Sequence, residues 1–105
     1  MTDQKEYNQY QELLDIHINS SRLVIFSKTT CGYCTQAKQE IRKLNILPLV
    51  IELDHHNDGK ELQEVLYKRT GRLTVPYVWI NKKCIGGCSE TLELISDNLF
   101  LKELI

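Results

Sequence analysis

Leu23-Val24-Ile25-Phe26-Ser27-Lys28-Thr29-Thr30-Cys31-Gly32-Tyr33-Cys34 is the stretch on which the fold turns. Its first four residues form a short apolar run rich in strand formers, expected to be a strand buried on both faces. Beyond the polar Lys28-Thr29-Thr30, residues Cys34, Ala37, Ile41 and Leu44 recur at the spacing of one helix face. The pair Cys31 and Cys34 therefore lies where a strand hands over to a helix. A helix N-terminus carries unpaired N–H groups and a partial positive charge, and both favour a thiolate over a thiol. Lys28 adds a cation on the same side. Cys34 falls one turn into the helix, towards its core face, so it is the more shielded and less acidic of the two. That asymmetry makes Cys31 the attacking thiol and Cys34 the one that resolves a mixed disulfide.

Working outward, Tyr10, Leu13, Leu14, His17 and Ile18 predict an opening helix over about residues 4–19. Pro48 marks the end of the second helix, and Leu49-Val50-Ile51 reads as a second buried strand. Asp58 precedes Glu61 with capping-box spacing and opens a third helix carrying Leu62, Val65 and Leu66. Gly71 suits the left-handed residue that closes it. Val75 to Ile80 is the third strand; Asn81-Lys82-Lys83 turns it into a short fourth, Cys84-Ile85. After Gly86-Gly87, Ser89 is the expected cap of a last helix, with Leu92, Ile95 and Leu99 on its core side. Strand–helix–strand links make parallel pairs and a tight turn makes an antiparallel one. The fold class is α/β, a four-stranded mixed sheet flanked by helices on both faces, built as one domain over residues 1–105 with its core from about residue 22 onward.

Composition narrows the chemistry. Thirteen basic against fourteen acidic side chains give a net charge of −1 over 105 residues, which argues against a nucleic-acid binder, since that requires a basic excess. The apolar runs Leu23–Phe26 and Ile46–Ile51 fall well short of the ~20 residues that span a bilayer, so no membrane partner is expected. The opening MTDQKEYNQY resembles neither a secretory signal nor a transit peptide, and the expected compartment is the cytoplasm. In that compartment the four cysteines (Cys31, Cys34, Cys84, Cys88) read as redox or metal chemistry rather than a disulfide framework.

Two further segments point to a ligand. Thr74-Val75-Pro76 opens a strand with a proline, which removes a ladder donor. Beside a cysteine pair this suggests a cis Val75–Pro76 peptide, with the Val75 backbone free to pair with an extended ligand. In Cys84-Ile85-Gly86-Gly87-Cys88-Ser89-Glu90, the glycines allow close backbone approach. The helix start offers N–H groups to a carboxylate, and Glu90 offers a carboxylate to an amine. Together they suit a small zwitterionic peptide.

With Phe26 to Cys34, Thr70-Gly71 with Thr74-Val75-Pro76, and Ile85-Gly86-Gly87-Cys88-Ser89 in this order and spacing, the chain resembles the glutaredoxins, on the thioredoxin fold. It looks like a dithiol member. The resemblance implies a glutathione-dependent thiol–disulfide oxidoreductase that reduces protein–glutathione mixed disulfides and small disulfides. Glutathione is the co-substrate, regenerated through glutathione reductase. Cys31 would take glutathione as a mixed disulfide and Cys34 would resolve protein disulfides. Lys28 and Gln63 would meet the glycine carboxylate of glutathione, and Tyr33 would wall the groove. Val75, between Thr74 and Pro76, would pair with its cysteine backbone. Gly87, Cys88 and Ser89 would hold the γ-glutamyl carboxylate, and Glu90 its amine.

Three positions depart from the family pattern. Glu90 is one methylene longer than the usual Asp, and Leu73 stands where Arg or Lys is frequent, with Arg72 adjacent. Gly32 replaces the proline of the commonest dithiol members. Small residues there occur in members that hold a [2Fe–2S] cluster between two subunits, with Cys31 of each and two glutathiones as ligands. The alternative reading is therefore a cluster-binding dimer, against a monomeric enzyme without metal. Elsewhere Cys84 reads as structural filler and the Cys88 thiol as dispensable. The cysteine spacing makes a poor zinc finger. His55-His56 with Asp54 reads as a solvated loop, His17 as a helix flank, Tyr77 and Trp79 as sheet-face packing, and Lys82-Lys83 as an exposed turn.

Overall fold

The computed structural model describes residues 3–105. Its elements run α1 (Gln4–Asn19), β1 (Leu23–Ser27), α2 (Gly32–Arg42), β2 (Leu49–Glu52), a 3-10 turn (Leu53–His55), α3 (Gly59–Thr70), β3 (Tyr77–Ile80), β4 (Lys83–Gly86), α4 (Cys88–Ser96) and α5 (Phe100–Leu104). The sheet order is β2-β1-β3-β4, with β1 parallel to β2 and antiparallel to β3, and β3 antiparallel to β4. This is the expected four-stranded mixed sheet of a thioredoxin-like fold.

Strand alternation separates two cores. Val24, Phe26, Tyr77 and Trp79 pack with Leu14 and Ile18 of α1 and with Leu62, Val65 and Leu66 of α3. Leu23, Ile25, Val78 and Ile80 face the other way, onto Ile41 of α2 and Phe100 of α5. Strand β1 contributes to both cores and is buried along its whole length. The junction that follows it is thus held from both sides.

Several boundaries move from their expected places. Helix α2 stops at Arg42, well before Pro48, because Ile41 and Arg42 accept short-range bonds from Leu44 and Asn45, and Asn45 turns left-handed at φ 62°. Strand β2 is an edge strand and only half-buried rather than fully buried. Asp58 does stand before α3, but at φ −109°, ψ 26° its backbone is not extended and its carboxylate caps nothing. Gly71 closes α3 in the left-handed conformation at φ 76°, as expected. Strand β3 begins at Tyr77, after the proline, and β4 takes in Lys83 and Gly86. Ser89 is not a cap: α4 begins at Cys88 with Gly87 before it, and the Glu90 carboxylate accepts the Gly87 N–H at 2.6 Å. The final helix is broken at Asp97–Leu99, so Leu99 is 40% exposed and Phe100 takes the core place.

Gly59 marks a close approach. A Cβ there would collide with the Leu53 carbonyl oxygen, a backbone atom that cannot step aside. At Gly32 a Cβ would meet nothing within 4 Å. Gly59→Ala is therefore expected to lower the unfolding free energy by about 1–3 kcal/mol, while Gly32→Ala leaves it unchanged or slightly raised. Urea denaturation of the reduced protein measures both.

Candidate active site

Cys31 occupies the cap position of α2 in extended backbone (φ −100°, ψ 118°), and its sulfur accepts the Cys34 N–H at 3.3 Å. A thiolate at that atom would meet a backbone donor and the positive end of a helix. The same sulfur lies 3.8 Å from the Val75 carbonyl oxygen. The Val75–Pro76 peptide is cis, as the proline-opened strand suggested. Cys34 is buried. Burial first, then its contact with Cys31, pushes its thiol up to about 11, against the opposing effect of the Ser27 hydroxyl and the Lys28 backbone. Both cysteines are free thiols. The expected difference in shielding is present: the Cys31 sulfur is partly buried at a helix end and Cys34 is fully buried behind it.

Two hollows are each lined by a residue that contacts Cys31, Val75 in one and Lys28 in the other. One, of about 300 Å³, is lined by Tyr33, Arg72, Thr74, Val75, Pro76, Cys88 and Ser89. The other, of about 420 Å³, includes Lys28, Asp54, His56, Lys60 and Gln63 in its lining. The structure thus collects Tyr33, Thr74, Val75, Pro76, Cys88 and Ser89 in one place and Lys28 with Gln63 in the other. Gln63 donates its side-chain N–H to the Leu73 carbonyl at 3.2 Å, which ties α3 to the segment before Thr74. Tyr33 is 69% exposed and stands clear as a wall. Gly87 is buried, and the Arg72 guanidinium fills the place where a Cβ would stand.

Glu90 is a correction. Its carboxylate is not in the groove with Ser89; it accepts the Gly87 N–H and faces Arg72 Nη1 at 3.2 Å. The Gly87 N–H and then the Arg72 charge hold this carboxyl below its usual range. The extra methylene relative to Asp lets it fold back along the helix start instead of reaching outward. Arg72, which the sequence marks only as the neighbour of Leu73, turns out to wall the groove. Its spacing from Thr-Val-Pro is the signal that could have found it.

The sequence places Asp54 in a solvated loop, yet it accepts the Thr29 N–H at 3.1 and 3.2 Å and bonds the Thr29 hydroxyl. That hydroxyl is the main cause holding the Asp54 carboxyl low. The contact pins the segment leading into Cys31. His55 is exposed, as expected, but His56 is half-buried, 3.2 Å from His17 Nε2, and accepts the Asp58 N–H. Burial pushes the His17 imidazole down. Among the described residues no three metal-ligating side chains converge. Burial is the chief cause that raises the Cys84 and Cys88 thiols above the ordinary range. Tyr77 and Trp79 are buried sheet-face residues, and Lys82 and Lys83 are exposed. No described helix is long and apolar enough to cross a membrane.

The family profile described as Glutaredoxin matches residues 23–85, from the first strand through the proline segment into β4. This chain belongs to the glutaredoxin family. Among its relatives, a glutaredoxin of Vernicia fordii is 49% identical over 70% of this chain and 71% of its own length. The chloroplastic monothiol glutaredoxin-S12 of Arabidopsis thaliana is 45% identical over 80% of this chain, and human mitochondrial glutaredoxin-2 is 42% identical over 90%. This chain spans only 48% and 55% of those two proteins. A buckwheat glutaredoxin–glutathione complex superposes with a TM-score of 0.93 at 36% identity, covering 98% of this chain and 94% of that one. The holo form of glutaredoxin C1 from Populus tremula x tremuloides gives 0.92 at 39% identity, covering 96% and 91%.

The buried proton of this glutaredoxin's Cys34 has two consequences. Iodoacetamide at pH 7.5 is expected to modify Cys31 well before Cys34, read by peptide mass spectrometry. The folded state keeps the Cys34 proton between pH 9, where an ordinary thiol loses it, and about 11. Stability from this group is therefore present below pH 9 and falls as pH rises through that window. Urea titrations of the reduced protein should show a steeper alkaline loss than those of Cys34→Ala.

Proposed function

We propose that this chain is a glutathione-dependent thiol–disulfide oxidoreductase that reduces protein–glutathione mixed disulfides and small disulfides. The observation that carries it is the Cys31 sulfur, which accepts a helix-end N–H while lying beside the Val75 carbonyl. The sulfur that would attack and the backbone that would align its target are thereby adjacent. The complex of a buckwheat relative with glutathione supports the choice of ligand.

Glutathione carries a carboxylate at each end. Lys28 and Gln63 receive the glycine carboxylate in the hollow they share, and the Val75 backbone pairs with the central cysteine. The γ-glutamyl carboxylate meets the Cys88 and Ser89 N–H groups at the start of α4, where helix donors have no intrahelical partners. Glu90 holds that helix start through the Gly87 N–H.

In the first step the Cys31 thiolate attacks the glutathione sulfur of a mixed disulfide. The new S–S bond forms as the old one breaks, and the substrate protein leaves as a thiolate that takes a proton from water. A second glutathione, as thiolate, attacks the Cys31-bound glutathione; glutathione disulfide leaves and Cys31 returns as thiolate. Glutathione reductase restores the glutathione pool. With a protein disulfide, Cys31 forms the mixed disulfide and Cys34, after losing its proton, attacks the Cys31 sulfur. The substrate leaves as a dithiol and two glutathiones then reduce the internal disulfide. Once Cys31 is in a disulfide its thiol no longer raises Cys34, so the resolving proton leaves more easily than in the resting protein.

Cys31→Ser is expected to abolish turnover in a hydroxyethyl-disulfide assay coupled to glutathione reductase. Cys34→Ser should keep removal of glutathione from a glutathionylated protein and lose most reduction of a protein disulfide. Full activity of Cys31→Ser would overturn the assignment.

A second reading, a [2Fe–2S] cluster shared by two copies, rests on the open surface at Gly32, where even a Cβ would touch nothing. The ligands would be Cys31 from each copy and two glutathiones, in keeping with thiolate ligation of such clusters. Anaerobic reconstitution with glutathione should then give a brown protein of twice the monomer mass. A colourless monomer removes this reading.

A further inference from the structure

A third cavity, with Arg72 and Glu90 in its lining, is larger than either hollow at the active site, at about 670 Å³. It is lined by four cations, Arg69, Arg72, Lys82 and Lys83, against the single carboxylate of Glu90. In a chain whose net charge is −1 this is a marked local concentration. Arg69 is paired with Asp15 and Arg72 with Glu90. Lys82 and Lys83 form no ion pair among the described residues. The lining is rich in donors and poor in acceptors.

The cavity runs along β4, the terminal strand of the sheet. An edge strand presents backbone N–H and C=O groups that an extended chain can pair with. Arg72 belongs both to this lining and to the groove beside Cys31. A chain lying along β4 would therefore be led towards the reactive sulfur.

We propose that this β4 groove docks an acidic, extended segment of the protein substrates, adding recognition that glutathione alone does not provide. The proposal rests on the oxidoreductase reading for its biological use. The docking step itself is a matter of charge and backbone pairing and is measured without turnover. Opposite charge across such a groove steers encounter and selects partners.

Trp79 is the only tryptophan, so its emission reports the cavity directly. The reduced protein is titrated with a cysteine-free peptide rich in glutamate, with its glutamine counterpart, and with inorganic phosphate. A saturable emission change is expected for the acidic peptide alone, weakened by 0.5 M salt and weakened about fivefold in the Lys82→Glu/Lys83→Glu double variant. No change, an equal response to the glutamine peptide or to phosphate, or full binding by the double variant overturns the proposal. In parallel, the double variant should lose about fivefold in kcat/KM on a glutathionylated acidic peptide, the size expected of exposed charge pairs, with hydroxyethyl-disulfide turnover unchanged. An equal loss on both substrates overturns docking. Absence of turnover in the unaltered protein would count against the oxidoreductase reading and leave the fluorescence result standing.

Discussion

The sulfur of Cys31 accepts the Cys34 N–H, and this contact fastens that sulfur to the end of a helix. It requires that the chain be extended at residue 31 and helical from residue 32 onward. That requirement is met because β1 is buried on both faces, so the point where the strand ends cannot drift. The Asp54 carboxylate then ties Thr29 from the neighbouring turn, leaving few ways for residues 28–31 to be arranged. A helix-end donor is useful to a thiolate only if the sulfur stays within reach of it. The two cores of the molecule are, in this sense, the support of one hydrogen bond.

Arg72 and Glu90 organise the other side of the site. As an isolated, partly exposed ion pair they would add little stability. Their importance is geometric. Glu90 closes the first turn of α4 onto Gly87, and Arg72 fills the space a side chain at position 87 would need. The start of α4 is thereby held in place beside the groove that Cys88 and Ser89 line. The same guanidinium separates that groove from the basic cavity along β4. One side chain thus sets the shape of both.

The elements with strong periodicity are legible in the sequence: α1 begins and ends where its apolar spacing indicates, β1 and α3 follow their apolar runs, and β3 keeps the part of its run from Tyr77 onward. Boundaries set by backbone conformation are not. Pro48 has the look of a helix breaker, but Asn45 turns the chain before it is reached. Ser89 has the chemistry of a cap, yet Gly87 takes the cap place because the Glu90 carboxylate reaches back to its N–H. Leu99 matches the helix spacing, and the break before α5 hands its core place to Phe100. Each difference exchanges one plausible residue for a neighbour whose backbone or partner lies outside the local pattern.

Cysteine spacing at a strand-to-helix junction, a proline opening a strand and a Gly-Gly helix entry are local features. Neighbouring residues dictate how they are placed, so the sequence by itself determined the position of the cysteine pair and the segments beside it. Burial of the Cys34 thiol, the tie from Asp54 to Thr29, the withdrawal of Glu90 from the groove and the cluster of cations along β4 were decided only by the tertiary structure. Their energies depend on distances between elements, and those distances exist only once the sheet has assembled.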